Sequence, residues 1–163
     1  MMTPFFRPAI LLFVIVAPGI GLAQEQGSIT ATIGGEDRSF SLTPTQSDWS
    51  GWGNGGGGSA NIFAGEDGPD GGWADFTLGF SWAGDNVSSP EISASVADAN
   101  LFGDDETGLS VTLDSISVDG DFLTVSGDFE GTIGPSDNYG RDIDKDGRVP
   151  IRGMFEVTLG PVE

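Results

Sequence analysis

The chain has 163 residues, with 25 acidic and 6 basic side chains, no histidine, no cysteine and a formal net charge of −19 at pH 7. A field of that sign repels nucleic acid and anionic membrane surfaces, so neither is expected as a partner, and it favours cations. Without histidine or cysteine the chain cannot form a His-based triad, a thiol nucleophile or a His-ligated zinc site. Composition therefore favours a non-catalytic role and leaves only carboxylate-based catalysis open.

The first 23 residues have the pattern of a secretory signal peptide. Arg7 precedes an apolar run at residues 9–17, and Gly21 and Ala23 provide small residues at positions −3 and −1 of a cleavage site. No stretch is apolar and long enough to span a bilayer, so no membrane span is predicted. We expect a single β-domain at residues 24–163, exported to the periplasm or secreted. Its net charge is −20, because Arg7 is the only charged residue removed from a chain of −19.

Apolar and polar residues alternate along most of the remaining chain, which is the period of half-buried strands. No window shows a helical stripe, and the chain contains 27 glycines. This pattern predicts an all-β fold, either a single antiparallel β-sandwich or a small β-barrel of about eight short strands. The clearest alternating runs are residues 28–33, 38–42, 74–82, 91–96 and 109–113.

Residues 48–72 are rich in glycine and aspartate, and this composition predicts a flexible loop or a pair of loops. Trp49, Trp52 and Trp73 border the segment. Exposed tryptophan beside aspartate is typical of surfaces that stack and hydrogen-bond sugar rings, so the three are candidate ligand-binding residues. The other interpretation is that these large aromatic side chains are buried and cap the ends of the sheets.

A hairpin is predicted further along the chain. Asp119-Gly120 is a strong signal for a two-residue turn, and such a turn would pair Ile116 with Leu123. Continued without interruption, this pairing would set Leu113 against the wrong face of the partner strand. One extra residue near Asp114 repairs the mismatch, so a β-bulge is predicted there.

Two stretches near the C-terminus, VSGDFEGTI (125–133) and IRGMFEVTL (151–159), follow one template. If they pair as antiparallel neighbours, each phenylalanine ring covers a glycine of the other strand, and an opposite-charge pair forms on the outer face. Such reciprocity explains the likeness better than an internal duplication does. The predicted partners are Phe129 with Gly153, Phe155 with Gly127, and Glu130 with Arg152.

Between these two strands lies an acidic loop, residues 134–148. Its second half contains most of the sequence DIDKDGRV, which occupies residues 142–149. Aspartates at alternate positions, followed by glycine and an aliphatic residue, resemble the calcium loops of EF-hand and dockerin-type proteins. The resemblance covers residues 142–149 only. It implies a Ca²⁺ ion bound by the side chains of Asp142, Asp144 and Asp146 and by the carbonyl of Arg148.

The loop departs from that family at its twelfth position, where Gly153 stands in place of a bidentate glutamate. A working site therefore needs an acid from elsewhere, either Asp137 or one of residues 104–106. The alternative is a solvated loop whose aspartates are neutralised by nearby basic residues, namely Arg141, Lys145, Arg148 and Arg152.

Together these features predict an exported, calcium-stabilised acidic domain that acts as a non-catalytic binding or surface-structural module for an unidentified glycan or protein. The other interpretation is a small carboxylate-dependent glycan hydrolase or a carbohydrate-binding module. Glu130 and Glu156 share one face, but the predicted register separates them by four residues along a strand. That is about 13 Å, which exceeds the spacing of a glycosidase carboxylate pair.

Overall fold

The computed structural model describes residues 25–66, 74–97 and 99–162. The predicted signal peptide and Trp73 lie outside these residues. In the described part of the chain, the two 3₁₀ helices, Pro44–Gln46 and Asp105–Thr107, are single turns, and no helix has the length and hydropathy needed to cross a membrane. The strands are β1 (Gln26–Ile33), β2 (Glu36–Leu42), β3 (Asp48–Gly51), β4 (Gly57–Gly65), β5 (Phe76–Ala83), β6 (Asn86–Val96), β7 (Ala99–Gly103), β8 (Ser110–Asp119), β9 (Phe122–Pro135) and β10 (Val149–Leu159).

Eight of these strands close into an antiparallel barrel. The order around the barrel is β1, β2, β4, β5, β6, β7, β9 and β10, and β10 pairs with β1 to complete the ring. The two remaining strands extend the wall, because β3 pairs with β4 and β8 pairs with β9. The predicted all-β class is confirmed, and of the two predicted architectures the barrel is the one that forms.

Aromatic side chains fill the barrel. The ring of Phe76 lies 4.9 Å from that of Phe40 and 5.7 Å from that of Phe129, measured between centroids. A second cluster joins Phe80 to Trp82 and Phe155, at 6.1 and 5.6 Å. An eight-stranded barrel is just wide enough for side chains to fill its interior. The interior is therefore a packed core, which leaves the outer wall and the two ends for ligands.

The predicted pairing of the twin strands is confirmed. Phe129 lies opposite Gly153, and Phe155 lies opposite Gly127. A Cβ atom placed on Gly127 would lie 3.0 Å from Cζ of Phe155, and one on Gly153 would lie closer still to Cζ of Phe129. Each ring thus occupies the space that a side chain on the facing glycine would need.

The opposite-charge pair is correct in register only. Glu130 lies opposite Arg152. The ion pairs among the described residues, however, both involve Arg38, with Glu36 at 3.2 Å and Glu66 at 2.8 Å. Glu130 and Arg152 are exposed, and for exposed side chains the loss of rotamer freedom offsets most of the Coulomb attraction.

The β8–β9 hairpin confirms the bulge and corrects the turn. The register shifts between Leu113 and Ser115, at the predicted position. The turn, however, is Gly120-Asp121, one residue later than predicted, so Val118 rather than Ile116 pairs with Leu123. Gly120 has φ of +61°, the conformation that a turn with glycine at its first central position requires. The pairing changes by two residues, which leaves every side chain on its predicted face.

The prediction of a loop over residues 48–72 is wrong for residues 48–51 and 57–65. These form β3 and β4, which pair as a hairpin around a turn at residues 52–56. The glycines of β4 allow two tryptophan rings to lie against the backbone. A Cβ on Gly57 would lie 2.9 Å from Cζ3 of Trp52, and one on Gly58 would lie 2.8 Å from Cη2 of Trp82. Glycine here serves close packing as well as turn formation.

Candidate functional site

The predicted site residues lie at opposite ends of the barrel. Trp49 contacts the turn that precedes β9, because its Nε1 donates a hydrogen bond to the carbonyl oxygen of Asp121 at 2.9 Å. The acidic loop follows the other end of β9. Fourteen residues of strand separate the two places, a length on the order of 40 Å. The tryptophans and the aspartates therefore do not form one site.

The structure favours the capping interpretation for Trp49. The residue is only 5% exposed, and its side chain is hydrogen-bonded to the turn between β8 and β9. Trp52 is different, because it is 67% exposed in the β3–β4 turn. With Trp49 buried and Trp73 outside the described residues, Trp52 is the one predicted sugar-binding tryptophan that the structure shows at the surface.

The acidic loop begins at residue 136 rather than 134, because β9 continues to Pro135, and its own polar groups hold it in shape. The backbone N–H of Asp144 donates to the carbonyl of Pro135 at 2.9 Å, which fixes the loop to the end of β9. Oγ of Ser136 accepts from the N–H of Gly140, and Oδ1 of Asn138 accepts from the N–H of Asp142, both at 2.9 Å. The loop is thus a compact structure whose aspartate side chains project from a defined backbone.

One face of the loop encloses a small hollow of about 450 Å³, here called the acidic hollow. Three predicted calcium ligands, Asp137, Asp142 and Asp144, line it together with Ser136 and Asn138. Two further predicted ligands do not line it. The N–H of Asp146 donates to Oδ1 of Asp144 at 2.9 Å, and Arg148 lies against β9.

The donors of the acidic hollow are hard oxygens, which suit Ca²⁺. Among the residues that the structure describes, no three acidic side chains converge closely enough to hold a metal ion. The hollow therefore has donors of the type that calcium prefers, but its carboxylates do not converge on one point.

The basic residues of the loop form no close ion pair with its aspartates in the described part of the chain. None of Arg141, Lys145 and Arg148 lies within 4 Å of a carboxylate oxygen in the described part of the chain, where the ion pairs are those of Arg38. Asp142 instead accepts a hydrogen bond from the amide Nδ2 of Asn138 at 2.6 Å. Nε of Arg148 is buried without a hydrogen-bond partner. Among the described residues, no basic side chain therefore contacts the carboxylates of the loop.

Arg38, on the barrel wall, differs from the basic residues of the loop because it forms ion pairs with two carboxylates. Its hydrogen bond to Glu66 raises the pKa of the guanidinium, with a smaller contribution from Glu36 and against the effect of partial burial. The side chain thus clamps two carboxylates and stays protonated.

Other residues of the loop border a second cavity, a groove of about 470 Å³ here called the Tyr139 groove. Its lining includes Glu91 of β6, Phe102 of β7, Asp104 at the N-cap of the second 3₁₀ helix, Glu106 within that helix, and Tyr139 and Arg141 of the loop. Tyr139 is 92% exposed.

Sequence reasoning named residues 104–106 as a source of acid but did not find Glu91 or Tyr139 as site residues. The one feature of the sequence that could have pointed to Tyr139 is that it is the single tyrosine of the chain and lies in a polar loop.

Comparison of the chain with protein-family models, with curated proteins and with solved structures found no match in any of the three. Function must therefore be inferred from the geometry of this barrel and its acidic loop.

Proposed function

We propose that this protein is an exported, non-catalytic binding or surface-structural module in which calcium braces the acidic loop. The observation that carries the proposal is the set of loop carboxylates that no basic side chain of the described residues contacts. Asp137, Asp142 and Asp144 share one hollow, and no arginine or lysine of residues 25–66, 74–97 and 99–162 lies within 4 Å of their carboxylate oxygens.

Calcium would relieve two costs of this arrangement. The first is the mutual repulsion of the loop aspartates in a domain of net charge −20. The second is the entropy of closing a long loop between the paired strands β9 and β10. The three aspartates are exposed, so no packing prevents their carboxylates from turning toward an ion in the acidic hollow, although Asp142 and Asp144 would exchange hydrogen bonds that they now accept from Asn138 and Asp146. When bound, calcium would supply a cross-link between the end of β9 and the loop.

The expected affinity is low. The loop lacks the bidentate glutamate of EF-hands, so a dissociation constant of roughly 10⁻⁴ to 10⁻³ M is expected, as in extracellular modules. An ion that binds only the folded state with that constant adds roughly 0.4–1.4 kcal/mol to the free energy of unfolding at about 1 mM calcium, and about 2.7 kcal/mol at a hundredfold excess over the constant. Magnesium should add less, because it demands octahedral geometry and keeps its waters.

Thermal melting of the domain at residues 24–163, in chelator and in millimolar calcium at fixed ionic strength, tests the proposal. The variant is Asp144→Asn, which removes the charge but keeps an oxygen to accept the N–H of Asp146. The matched control is Asp119→Asn, an exposed acid at the far end of β8. Calcium should raise the melting temperature of the wild type and the control but not of Asp144→Asn. Equal shifts in all three would mean general charge screening, and the calcium proposal would be rejected.

A glycan hydrolase is the second candidate, and one observation supports it. Asp128 and Glu130 lie on the outer face of β9, two residues apart, in a groove of about 520 Å³ that also includes Arg152. Two residues along a strand span about 7 Å, within the range of glycosidase carboxylates. Both are exposed on an open wall, which does not exclude water as an active site does, so binding is the better-supported function.

Incubation with a panel of polysaccharides separates these two candidates. Hydrolysis by the wild type that is lost in Asp128→Asn and in Glu130→Gln would replace the binding proposal with the hydrolase. The same screen should include variants in which the acidic residues of 104–106 and 137–146 are replaced.

A further inference from the structure

We propose that an extended peptide with alternating apolar and basic side chains binds this protein by adding a strand to the free edge of β8. This gives a partner class to the module proposed above, so it rests on the binding part of that proposal. It does not depend on calcium, because the residues that line this edge lie outside the acidic loop.

The first observation is the edge itself. β8 ends the strand order of the sheet and has one neighbour, β9. Within the part of the chain that the structure describes, no backbone group pairs with the other side of β8 along its ten residues. Successive residues of a strand direct their N–H and C=O groups to alternate sides, so about half of these groups in β8 face away from β9. Such an edge is a template for a further strand.

The second observation is an opening in the wall beside this edge. β6 pairs with β7 over residues 92–96, and on that side its residues 86–91 have no strand partner among the described residues. A cleft of about 640 Å³ separates the end of the β5–β6 hairpin from β8, and its lining includes residues 111–116 of β8. The free edge therefore borders a cleft that a peptide can enter.

The far side of the cleft is fixed before any ligand binds. The N–H of Gly84, in the β5–β6 turn, donates to the carbonyl oxygen of Gly56 in the β3–β4 turn at 3.0 Å. Nε1 of Trp82 donates to the carbonyl oxygen of Gly55, also at 3.0 Å. A Cβ placed on Gly55 would lie 3.1 Å from Cγ2 of Ile116, so the β3–β4 turn touches β8 and closes that end of the cleft. A preformed cleft reduces the entropy that binding costs.

Apolar side chains in the cleft account for half of the peptide pattern. Val87, Leu113 and Ile116 line the cleft, and each is half-buried against the core. A strand added to β8 would direct every second side chain to this face of the sheet. Apolar side chains at those positions would remove the remaining surface of the three residues from water.

Charge accounts for the other half and argues against a second copy of this chain as the occupant. Asp85 and Asp114 line the cleft, and its lining contains no basic residue among those that the structure describes. Lysine side chains on the peptide would complement these two exposed carboxylates. Pairing of β8 with the β8 of a second copy would instead bring together two domains of net charge −20.

The test uses the peptide Ac-VKVKVKV-NH2 and the domain at residues 24–163, in chelator and at a fixed ionic strength of about 0.1 M. Amide resonances should shift saturably, with the largest shifts in residues 84–88 and 110–118. Amides of β8 that face away from β9 should exchange rapidly in the free domain and slowly in the complex, which simple attraction between charges would not produce. The acidic peptide Ac-VEVEVEV-NH2 should not bind.

Modified peptides test the backbone pairing. N-methylation of every second residue removes the N–H donors along one edge of the peptide and keeps its charge. Two such peptides, one for each edge, are compared with the parent, and at least one of them should lose the ability to slow amide exchange in β8. Equal protection by both methylated peptides and the parent would overturn the proposal.

Variants separate this edge from general attraction to an acidic surface. The affinity should fall by more than about fivefold in Asp114→Lys, because an exposed ion pair contributes up to roughly fivefold and the variant replaces it with a repulsion. Glu156→Lys makes the same change in net charge on β10, three strands or roughly 14 Å from the added strand. That distance exceeds the Debye length of about 10 Å, so its affinity should fall by less than about twofold. If Asp114→Lys does not fold, Asp85→Lys should show the same loss.

Three further results would overturn the proposal. They are linear, unsaturable shifts with the basic peptide, equal losses of affinity in the cleft variant and in Glu156→Lys, and protection of β8 that rises with protein concentration without peptide. The last result would assign the edge to a second copy of the chain. None of them would change the effect of calcium on the melting temperature, so the two proposals can fail separately.

Discussion

Truncation of Phe129 tests the packing that closes the barrel. Its side chain is 1% exposed, its ring lies 5.7 Å from that of Phe76, and it covers Gly153 of β10. Burying a phenylalanine contributes about 1.5–3 kcal/mol by transfer from water alone. Phe129→Ala also leaves a cavity that the barrel wall cannot close, because the backbones of β9 and β10 are fixed by their ladder. The expected loss in the free energy of unfolding is therefore about 3–5 kcal/mol.

Urea denaturation of residues 24–163 measures this loss. With a slope of about 2 kcal/mol per M, the midpoint should fall by roughly 1.5–2.5 M. Asp128→Ala is the matched control, since Asp128 is the exposed neighbour on the same strand, and it should change stability by no more than about 0.5 kcal/mol. If Phe129→Ala does not fold, Phe129→Leu should still show a loss of about 1–2 kcal/mol. A loss for Phe129→Ala no larger than that for Asp128→Ala would refute the packing argument.

Three further predictions follow from the wall and the ends of the barrel. Gly153→Ala should destabilise the domain severely, because the added methyl group would meet Phe129 and the backbone of β1. Gly79→Ala is the control and should be tolerated, because no atom lies nearer than 3.7 Å to the position of its added methyl group. Similar urea midpoints for the two variants would contradict this prediction. Raising sodium chloride from about 0.01 to 1 M should raise the melting temperature of the domain. The salt shortens the Debye length from roughly 30 to 3 Å and so weakens the repulsion between carboxylates that are mostly unpaired. A fall in the melting temperature would show that this repulsion does not limit stability. Trp52→Phe should remove an acrylamide-quenchable component of the fluorescence, because Trp52 is exposed whereas Trp49 and Trp82 are buried; unchanged quenching would place Trp52 in a protected environment.

The sequence predicted the parts of the fold that depend on side-chain alternation. Reciprocal phenylalanine and glycine positions in β9 and β10 were sufficient to give their register, because only one pairing lets each ring cover a glycine. The predicted turn was one residue too early. Asp119-Gly120 carries a stronger local preference for a two-residue turn than Gly120-Asp121 does, and both turns put the same side chains inside the barrel.

Residues 48–72 were misread for a different reason. Their glycines suggested a loop, but Gly57 and Gly58 lie under the rings of Trp52 and Trp82, and that contact is visible only after β4 and β5 have paired.

The candidate site was predictable only where it is local in sequence. The spacing of Asp142 and Asp144 indicated an oxygen-lined loop, and both residues line the acidic hollow. The Tyr139 groove could not be found in the same way. It brings the loop beside Glu91 and Asp104, more than thirty residues earlier in the chain, through the pairing of β7 with β9 at Leu101 and Phe102.

The most direct test of the account is a calcium titration followed residue by residue through the backbone amide resonances of the domain. If calcium braces the acidic loop, the shifts should be saturable and confined to residues 135–148, with a midpoint of roughly 10⁻⁴ to 10⁻³ M, and absent in Asp144→Asn. Small, linear shifts spread over all the exposed carboxylates, and unchanged by Asp144→Asn, would contradict the account.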